Sequence, residues 1–504
     1  MNMNTKNVTM ETMEYFSSNS EARLRGRETL EVIIPDRYPD AREILLVTGY
    51  AYVKAKEQSG HPLLQSILEV VALVESSENS LYTIACEIPV TLHSELPEME
   101  EACLFCSIKE KHYDATIVNS RKLSFSGEIG VAITQYHKKQ LEYMTSIGEE
   151  TVSIPCQWEI CPRSLAITEN FTISDELPFP KGKGDVESLL RKDFRIDIVE
   201  QKLIHEKLIV RANGKVYLSY LTNTGRTESV ELDFPFTHVF ELPGMDEGEL
   251  PQIGMHPERL ILLPQNREGE WLLSVTADIQ AEVLCYKPCS IQSIKDGYSL
   301  RNQLSLIREE QIFPGELCKR EEQVDTECNL EFPEEITEIC DCFGILGSPV
   351  TYLLEDDRLR VVAPLTIFAS GIGENTIKTV QKNIPVECYF QVSPTAITVT
   401  CDLRKIQAGP FSAGKYQLHV SVFFRITGEE PVECSLVTKV IQDEKDLSRL
   451  PSFVLTEAGK EDDLFSLGKR FNARPEDIRD ANRLAPDDPV DAKKKILIPV
   501  CHPR

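Results

Sequence analysis

The chain lacks a run of apolar residues long enough to cross a bilayer, which takes about 20 in succession, and it lacks a positive balance. Lys and Arg total 54 against 80 Asp and Glu, a formal charge of −26 over 504 residues. That excess repels phosphate backbones and anionic lipid, so nucleic acid is not an expected partner. The first twenty residues are polar and mixed, without a basic start and an apolar stretch of signal-peptide length, and the chain is expected to stay on the side of the membrane where it is made. Motifs of common chemistries are missing too. There is no G-x-x-x-x-G-K-[ST] loop, no H-E-x-x-H among nine histidines and no G-x-S-x-G, and Gly371-Ile372-Gly373 lacks the further glycines of a dinucleotide turn. These gaps argue against an enzyme and against a bound cofactor.

Cysteine is not scarce, but it is unpatterned. Fifteen are scattered over a long chain, an odd number, which reads as free thiols in a reducing compartment rather than a disulfide framework. Cys103-Leu104-Phe105-Cys106 has no second CxxC or spaced His pair to complete four zinc ligands, and Cys340-Asp341-Cys342 and the Cys285/Cys289 pair are equally solitary. No metal site is assigned. In strand-rich sequence such cysteines pack as small apolar residues. Asp356-Asp357 reads as a hairpin turn, not as a catalytic carboxylate pair.

What is present is repetition. Ile88-Pro89-Val90 is followed by Glu95-Leu96-Pro97, and Phe234-Pro235-Phe236 is followed at the same offset by Glu241-Leu242-Pro243. Ile384-Pro385-Val386 repeats the first half of the motif, with spacings of 146 and 150 residues between successive prolines. A period this long implies three related domains. Short β-branched runs precede each proline, at 43–53, 80–90, 207–221, 228–236 and 359–369, and Lys215-Val216-Tyr217-Leu218-Ser219-Tyr220 alternates with the period of a strand that has one wet face. Beyond the prolines, strand-like segments place apolar residues 34, 38 and 33 positions on. Proline inside such a triplet has no N–H to give a ladder, so it belongs on an edge, at a strand start or at a bulge. Short helices are possible at 60–74 and 184–192.

The expected fold is mainly β: three β-sandwich or barrel-like repeats at 31–175, 185–314 and 331–441, after an extension at 1–30 and before a different module at 451–501. Linkers are read at 178–184, 315–335 and 442–451. The last 54 residues carry ten basic and ten acidic side chains, so the whole negative excess sits in residues 1–450. In this tail Phe453-Val454-Leu455 reads as a strand. Asp462 or Asp463 can cap a helix bearing Leu464, Phe465, Leu467, Gly468 and Phe471, Pro475 opens a second helix, and Ile496-Leu497-Ile498-Pro499 closes a βααβ unit.

This tail resembles a LysM domain through Gly459, Leu464, Phe465, Lys469, Phe471, Ile478, Asn482, Leu484 and the closing Ile-x-Ile-Pro strand. It departs from the family in a longer, acidic turn, in Phe465 where Trp is usual, and in Lys493-Lys494-Lys495 where Gly is expected. LysM domains commonly bind N-acetylglucosamine chains. The resemblance implies a groove lined by Gly459, Asp463, Leu464, Phe465, Asn482, Arg483 and Leu484, open to a glycan or to a protein; Leu464 and Phe465 read equally well as core of a small helix pair. Earlier in the chain, Val32-Ile33-Ile34-Pro35-Asp36-Arg37-Tyr38-Pro39-Asp40-Ala41-Arg42-Glu43-Ile44-Leu45 resembles the start of SPOCS-domain proteins. SPOCS repeats followed by one LysM are the arrangement of SipL-like spore-coat morphogenetic proteins. The resemblance implies a mother-cell cytoplasmic protein at the forespore surface, non-enzymatic, that binds the ATPase of the coat basement layer through its LysM, with self-association possible. The rival expectation is a peptidoglycan-binding adaptor.

Overall fold

In the computed structural model, which describes residues 8–58, 61–93, 102–148, 151–332, 336, 338–354, 358–373, 377–391, 396–412, 415–485, 490 and 493–502, the chain is mainly β. One strand order recurs three times. The first unit comprises β1 (Thr9–Ile33), β2 (Ala41–Gln58), β3 (His61–Ser76), β4 (Leu81–His93), β5 (Cys103–Asn119) and β6 (Lys122–Ser146). Strands β2-β3-β4 form an antiparallel meander, while the last strand, β6, lies between the first and the fifth.

The second unit is built from β7 (Thr151–Ile160), β8 (Arg163–Pro178), β9 (Val186–Ile204), β10 (Lys207–Thr222), β11 (Thr227–Glu241), β12 (Leu250–Arg267), β13 (Glu270–Tyr286) and β14 (Cys289–Ser299). Its sheets are β9-β10-β11 and β8-β13-β12. The third unit has β15 (Asn302–Glu331), β16 (Glu338–Leu346), β17 (Val350–Leu353), β18 (Arg358–Ile372), β19 (Ile377–Gln391), β20 (Ala396–Ser412) and β21 (Lys415–Glu444). Here β16 and β17 pair successive stretches of β18 on one side, β19 pairs it on the other, and β21 sits between β15 and β20.

In each unit the two sheets bury their facing side chains together. Leu68 and Val70 of β3 share a core with Leu123, Phe125 and Ile129 of β6; Val216 and Leu218 share one with Leu273 and Val275; Val361 and Leu365 share one with Leu418 and Val420. The three motif prolines lie on β4, β11 and β19, the outer strands of their meanders, and point to solvent while Ile88, Val90, Phe234 and Val386 beside them point inward. An outer strand tolerates the missing N–H because one of its edges has no ladder to feed. Residues 94–101, with the first Glu-Leu-Pro, and 355–357 lie outside the described residues.

Several segments differ from the sequence expectation. Residues 61–74 and 186–192, where the sequence allows a short helix, run as strands in β3 and β9. In β3 burial alternates along Leu64, Ser66, Leu68, Val70 and Ala72 while Gln65 and Ile67 are exposed, and a short segment this rich in apolar residues is not told from a helix by its sequence period alone. Residues 9–30 of the expected extension 1–30 belong to β1, and most of the expected linker 315–335 lies inside β15. Their charges sit on exposed positions of long ladders, so polarity there marks a wet strand face rather than a loop.

These long strands also build a feature that the repeats do not announce. Past their sandwiches, β1 with β6 and β15 with β21 continue as two-stranded ribbons, kinked at register shifts between Ser18 and Ser20 and between Pro314 and Leu317. In the second unit Cys161-Pro162 and Lys287-Pro288 divide the equivalent ribbon off as β7-β14. The three ribbons share one core, made of Tyr15, Leu141, Tyr143, Ile160, Ile291, Phe313, Cys434 and Leu436. Elsewhere Leu73, Leu190 and Ile377, one from each unit, meet in a small apolar junction. Around it the hydrogen bonds run in a cycle: Thr48 donates to the Leu190 carbonyl, Ser219 to Asp341 at 2.5 Å, and Thr379 to the Leu45 carbonyl at 2.9 Å. No helix among the described residues is long and apolar enough to cross a membrane.

Candidate functional site

The carboxy-terminal unit is β22 (Phe453–Glu457), α1 (Leu464–Phe471), α2 (Pro475–Ala481) and β23 (Lys495–Pro499), with the two strands antiparallel and paired only with each other among the described residues. Its core is Ala458, Leu467, Ala473, Ile478, Ile496 and Ile498. Asp463 caps α1: its carboxylate accepts the Ser466 N–H at 2.7 Å while the Ser466 hydroxyl accepts the Asp463 N–H at 2.9 Å, a reciprocal pair that satisfies two otherwise orphaned donors. Asp462 is left to hold the turn. It accepts the Gly459 N–H at 2.8 Å and an Arg470 guanidinium N–H at 2.6 Å, and the Arg470 and Gly459 donors hold its carboxyl below the ordinary aspartate value.

The seven residues singled out for a groove have unequal roles. Gly459 and Asp463 are exposed turn and cap residues. Leu464 is half-buried against the core of the unit. The Asn482 side chain spends its amide on the protein itself: it donates to the Ile478 and Leu497 carbonyls at 2.7 and 2.6 Å and accepts the Leu497 N–H at 2.9 Å, tying the end of α2 to β23. Arg483 is exposed, in left-handed backbone with φ 50°, and Leu484 is half-buried. Phe465 faces the trunk, its ring 5.2 Å edge-on from Tyr298. Gly459, Asp463 and Arg483 therefore remain the accessible part of the set.

The contact with the trunk is built around residues that sequence reasoning passed over. Tyr298, at the end of β14, donates its hydroxyl to the Ala473 carbonyl at 2.7 Å; burial raises this phenol well above its usual pKa. Gly468 permits the approach, since a Cβ there would lie 2.3 Å from the Tyr298 hydroxyl and 2.6 Å from the Ala473 carbonyl oxygen. Buried Asn472, the left-handed C-cap of α1 with φ 59°, donates to the Leu300 and Cys501 carbonyls at 3.1 and 2.9 Å and accepts from the Lys445 ammonium at 2.9 Å. Lys469 pairs with Asp296 at 2.6 Å. Asn at a helix end is a legible stop signal; nothing in the sequence around Tyr298 marks it as a docking residue.

In the trunk, Cys103 and Cys106 lie on β5, and burial pushes both thiols up to about 12, so they stay protonated at neutral pH and are poor nucleophiles. Burial raises Cys285 and Cys342 to about 12 as well, and Cys289 and Cys340 in the same direction. Glu282 accepts the Cys106 N–H at 2.5 Å, and Asp341, between two of the cysteines, accepts from Ser219. These carboxylates are spent on unit-to-unit contacts. Among the described residues no three His, Cys, Asp or Glu side chains are placed to hold a metal ion.

No family model, curated protein or solved structure matches the chain.

Proposed function

We propose that the chain is a non-enzymatic assembly protein of the spore coat. In this reading it consists of SPOCS repeats, each a two-sheet sandwich, that carry a LysM-type recognition head, acts in the mother-cell cytoplasm at the forespore surface, and binds the ATPase of the coat basement layer. The observation that carries the reading is an order: one strand topology three times over, then a compact βααβ unit, which is the order of modules in the family whose motifs the sequence resembles. The buried carboxylates Glu282 and Asp341 are engaged between units, and the thiols of Cys285 and Cys388 are packed in unit cores, which suits a scaffold.

The structure narrows the surface to be tested. Phe465 bears on Tyr298, so its replacement loosens the head from the trunk, whereas Arg483 projects from an exposed turn. Affinity capture from sporulating cells with the full chain, its Arg483→Glu variant and residues 1–450 tests the proposal. The basement-layer ATPase is expected with the full chain, reduced with Arg483→Glu and lost from 1–450. Equal recovery in all three sinks the head-binding reading. Retention of the full chain on murein that chitooligosaccharide competes away would favour the peptidoglycan adaptor instead.

A further inference from the structure

The outer face of the β22-β23 ribbon is apolar and uncovered. Phe453 and Leu455 are each 64% exposed and Leu497 37%, and the strand register sets Leu455 opposite Leu497. Their neighbours Val454, Ile496 and Ile498 turn inward to the helices, so the ribbon has an apolar residue on both faces of the same short segment. A water-facing ribbon of a small unit does not need three large apolar side chains for its own fold. With two strands only, each also keeps one edge without a partner strand among the described residues, a template for further pairing.

The trunk offers a matching element. Strand β17 pairs β18 on one side and no described strand on the other, and Tyr352 and Leu353 are 49% and 59% exposed, with Val350 and, on β19, Tyr389 exposed nearby. The two elements are similar in length, five and four residues. Charge favours the approach of head and trunk, because Lys493, Lys494 and Lys495 are exposed where β23 begins and the trunk as a whole carries the negative excess of the chain; at the edge itself Arg360, opposite Tyr352, is paired with Glu387 at 2.5 Å. Within one molecule Tyr298 and Lys469 hold the head to β14 and Asn472 holds it to Leu300 just beyond, and both faces stay exposed.

We propose that the chain self-associates head to trunk, the β22-β23 ribbon of one copy seating on the β17 edge of the third unit of a second copy. The contact joins two different surfaces, so a single contact leaves one ribbon and one edge free; each added copy renews the face it has covered, and the product is a string, or a ring where the rotation closes. This inference stands on the two exposed faces and is measured without the ATPase, so its failure leaves the proposed function untouched, and the reverse.

The test uses the full chain by light scattering after gel filtration, over a hundredfold range of concentration. Wild type is expected to grow in mass with concentration, and added salt is expected to reduce that growth. Leu455→Glu and Tyr352→Glu, both at exposed positions, are each expected to weaken association at least tenfold while leaving the thermal midpoint and circular dichroism unchanged. An equimolar mixture of the two variants retains one good ribbon and one good edge, and is expected to stop at a 1:1 dimer. Wild type that stays monomeric throughout overturns the proposal, as does association that survives either variant. A mixture that fails to form the dimer overturns the pairing of these two faces.

Discussion

Phe465 of the carboxy-terminal helix meets Tyr298 of the trunk edge-on, with ring centroids 5.2 Å apart, while the Tyr298 hydroxyl reaches across to the Ala473 carbonyl at 2.7 Å. One tyrosine thus supplies both the apolar and the polar half of the seam between head and trunk, and its removal has a local consequence. Tyr298→Phe is expected to cost about 1 kcal/mol by leaving a buried carbonyl unpaired, and Tyr298→Ala about 3 kcal/mol through the cavity. Hydrogen exchange of the α1 amides reads both. Exchange that quickens equally across all three trunk units would mean the seam is not a local joint.

Gly468→Ala sets two effects against each other. Alanine favours helix by about 1 kcal/mol over glycine, yet its Cβ would lie 2.3 Å from the Tyr298 hydroxyl and 2.6 Å from a main-chain oxygen that cannot swing away. Steric conflict with backbone is expected to win, so the variant head should be cleaved from the trunk faster under limited proteolysis. Combining it with Tyr298→Ala removes one of the two clashes and should lessen the added penalty of the alanine.

Acid should loosen the turn at the head of α1. The folded value of Asp462 lies below its unfolded value near 3.8, because Arg470 and the Gly459 N–H favour the carboxylate. The turn therefore keeps this contribution above about pH 4 and loses it as pH falls through the lower folded value. Chemical shifts of Gly459 and Arg470 between pH 6 and pH 2 follow the change, and Asp462→Asn should flatten it. A midpoint above pH 4 would contradict the assignment.

Between the second and third units, Arg163 binds Glu429, whose carboxylate also accepts the Tyr286 hydroxyl at 2.7 Å, beside a bond from the Cys161 N–H to the Pro314 carbonyl at 2.6 Å. Glu429→Ala strands a largely buried guanidinium and a phenol together, an uncompensated charge that costs about 3 kcal/mol. Glu429→Gln keeps an acceptor and should cost less. Denaturant midpoints of the two variants give the order directly.

How much of this the sequence discloses depends on how many apolar residues an element commits. Lys215 to Tyr220 alternates cleanly and is a strand, and the proline triplets identify outer strands because a missing N–H has few places to go. The core shared by the three ribbons is different. Its ribbon strands contribute from one to three buried side chains each, Tyr15 on β1 and Ile160 on β7 but Leu141, Tyr143 and Met144 on β6, among polar neighbours and over too short a stretch for a period to stand out. In the head, the β-α-α-β order and a cap at Asp462 or Asp463 follow from local pattern, whereas the choice of Asp463 and the covering of Phe465 by Tyr298 come from the folded structure, the latter through a residue far away in the chain.

In the proposed function the head, and not the trunk, recognises the coat ATPase. Titration of the purified ATPase against the full chain and against its Arg483→Glu and Tyr298→Phe variants tests it most directly. Saturable binding is expected from the full chain, at least tenfold weaker binding from Arg483→Glu, and little change from Tyr298→Phe. Binding that is indifferent to Arg483 and persists in residues 1–450 would contradict it.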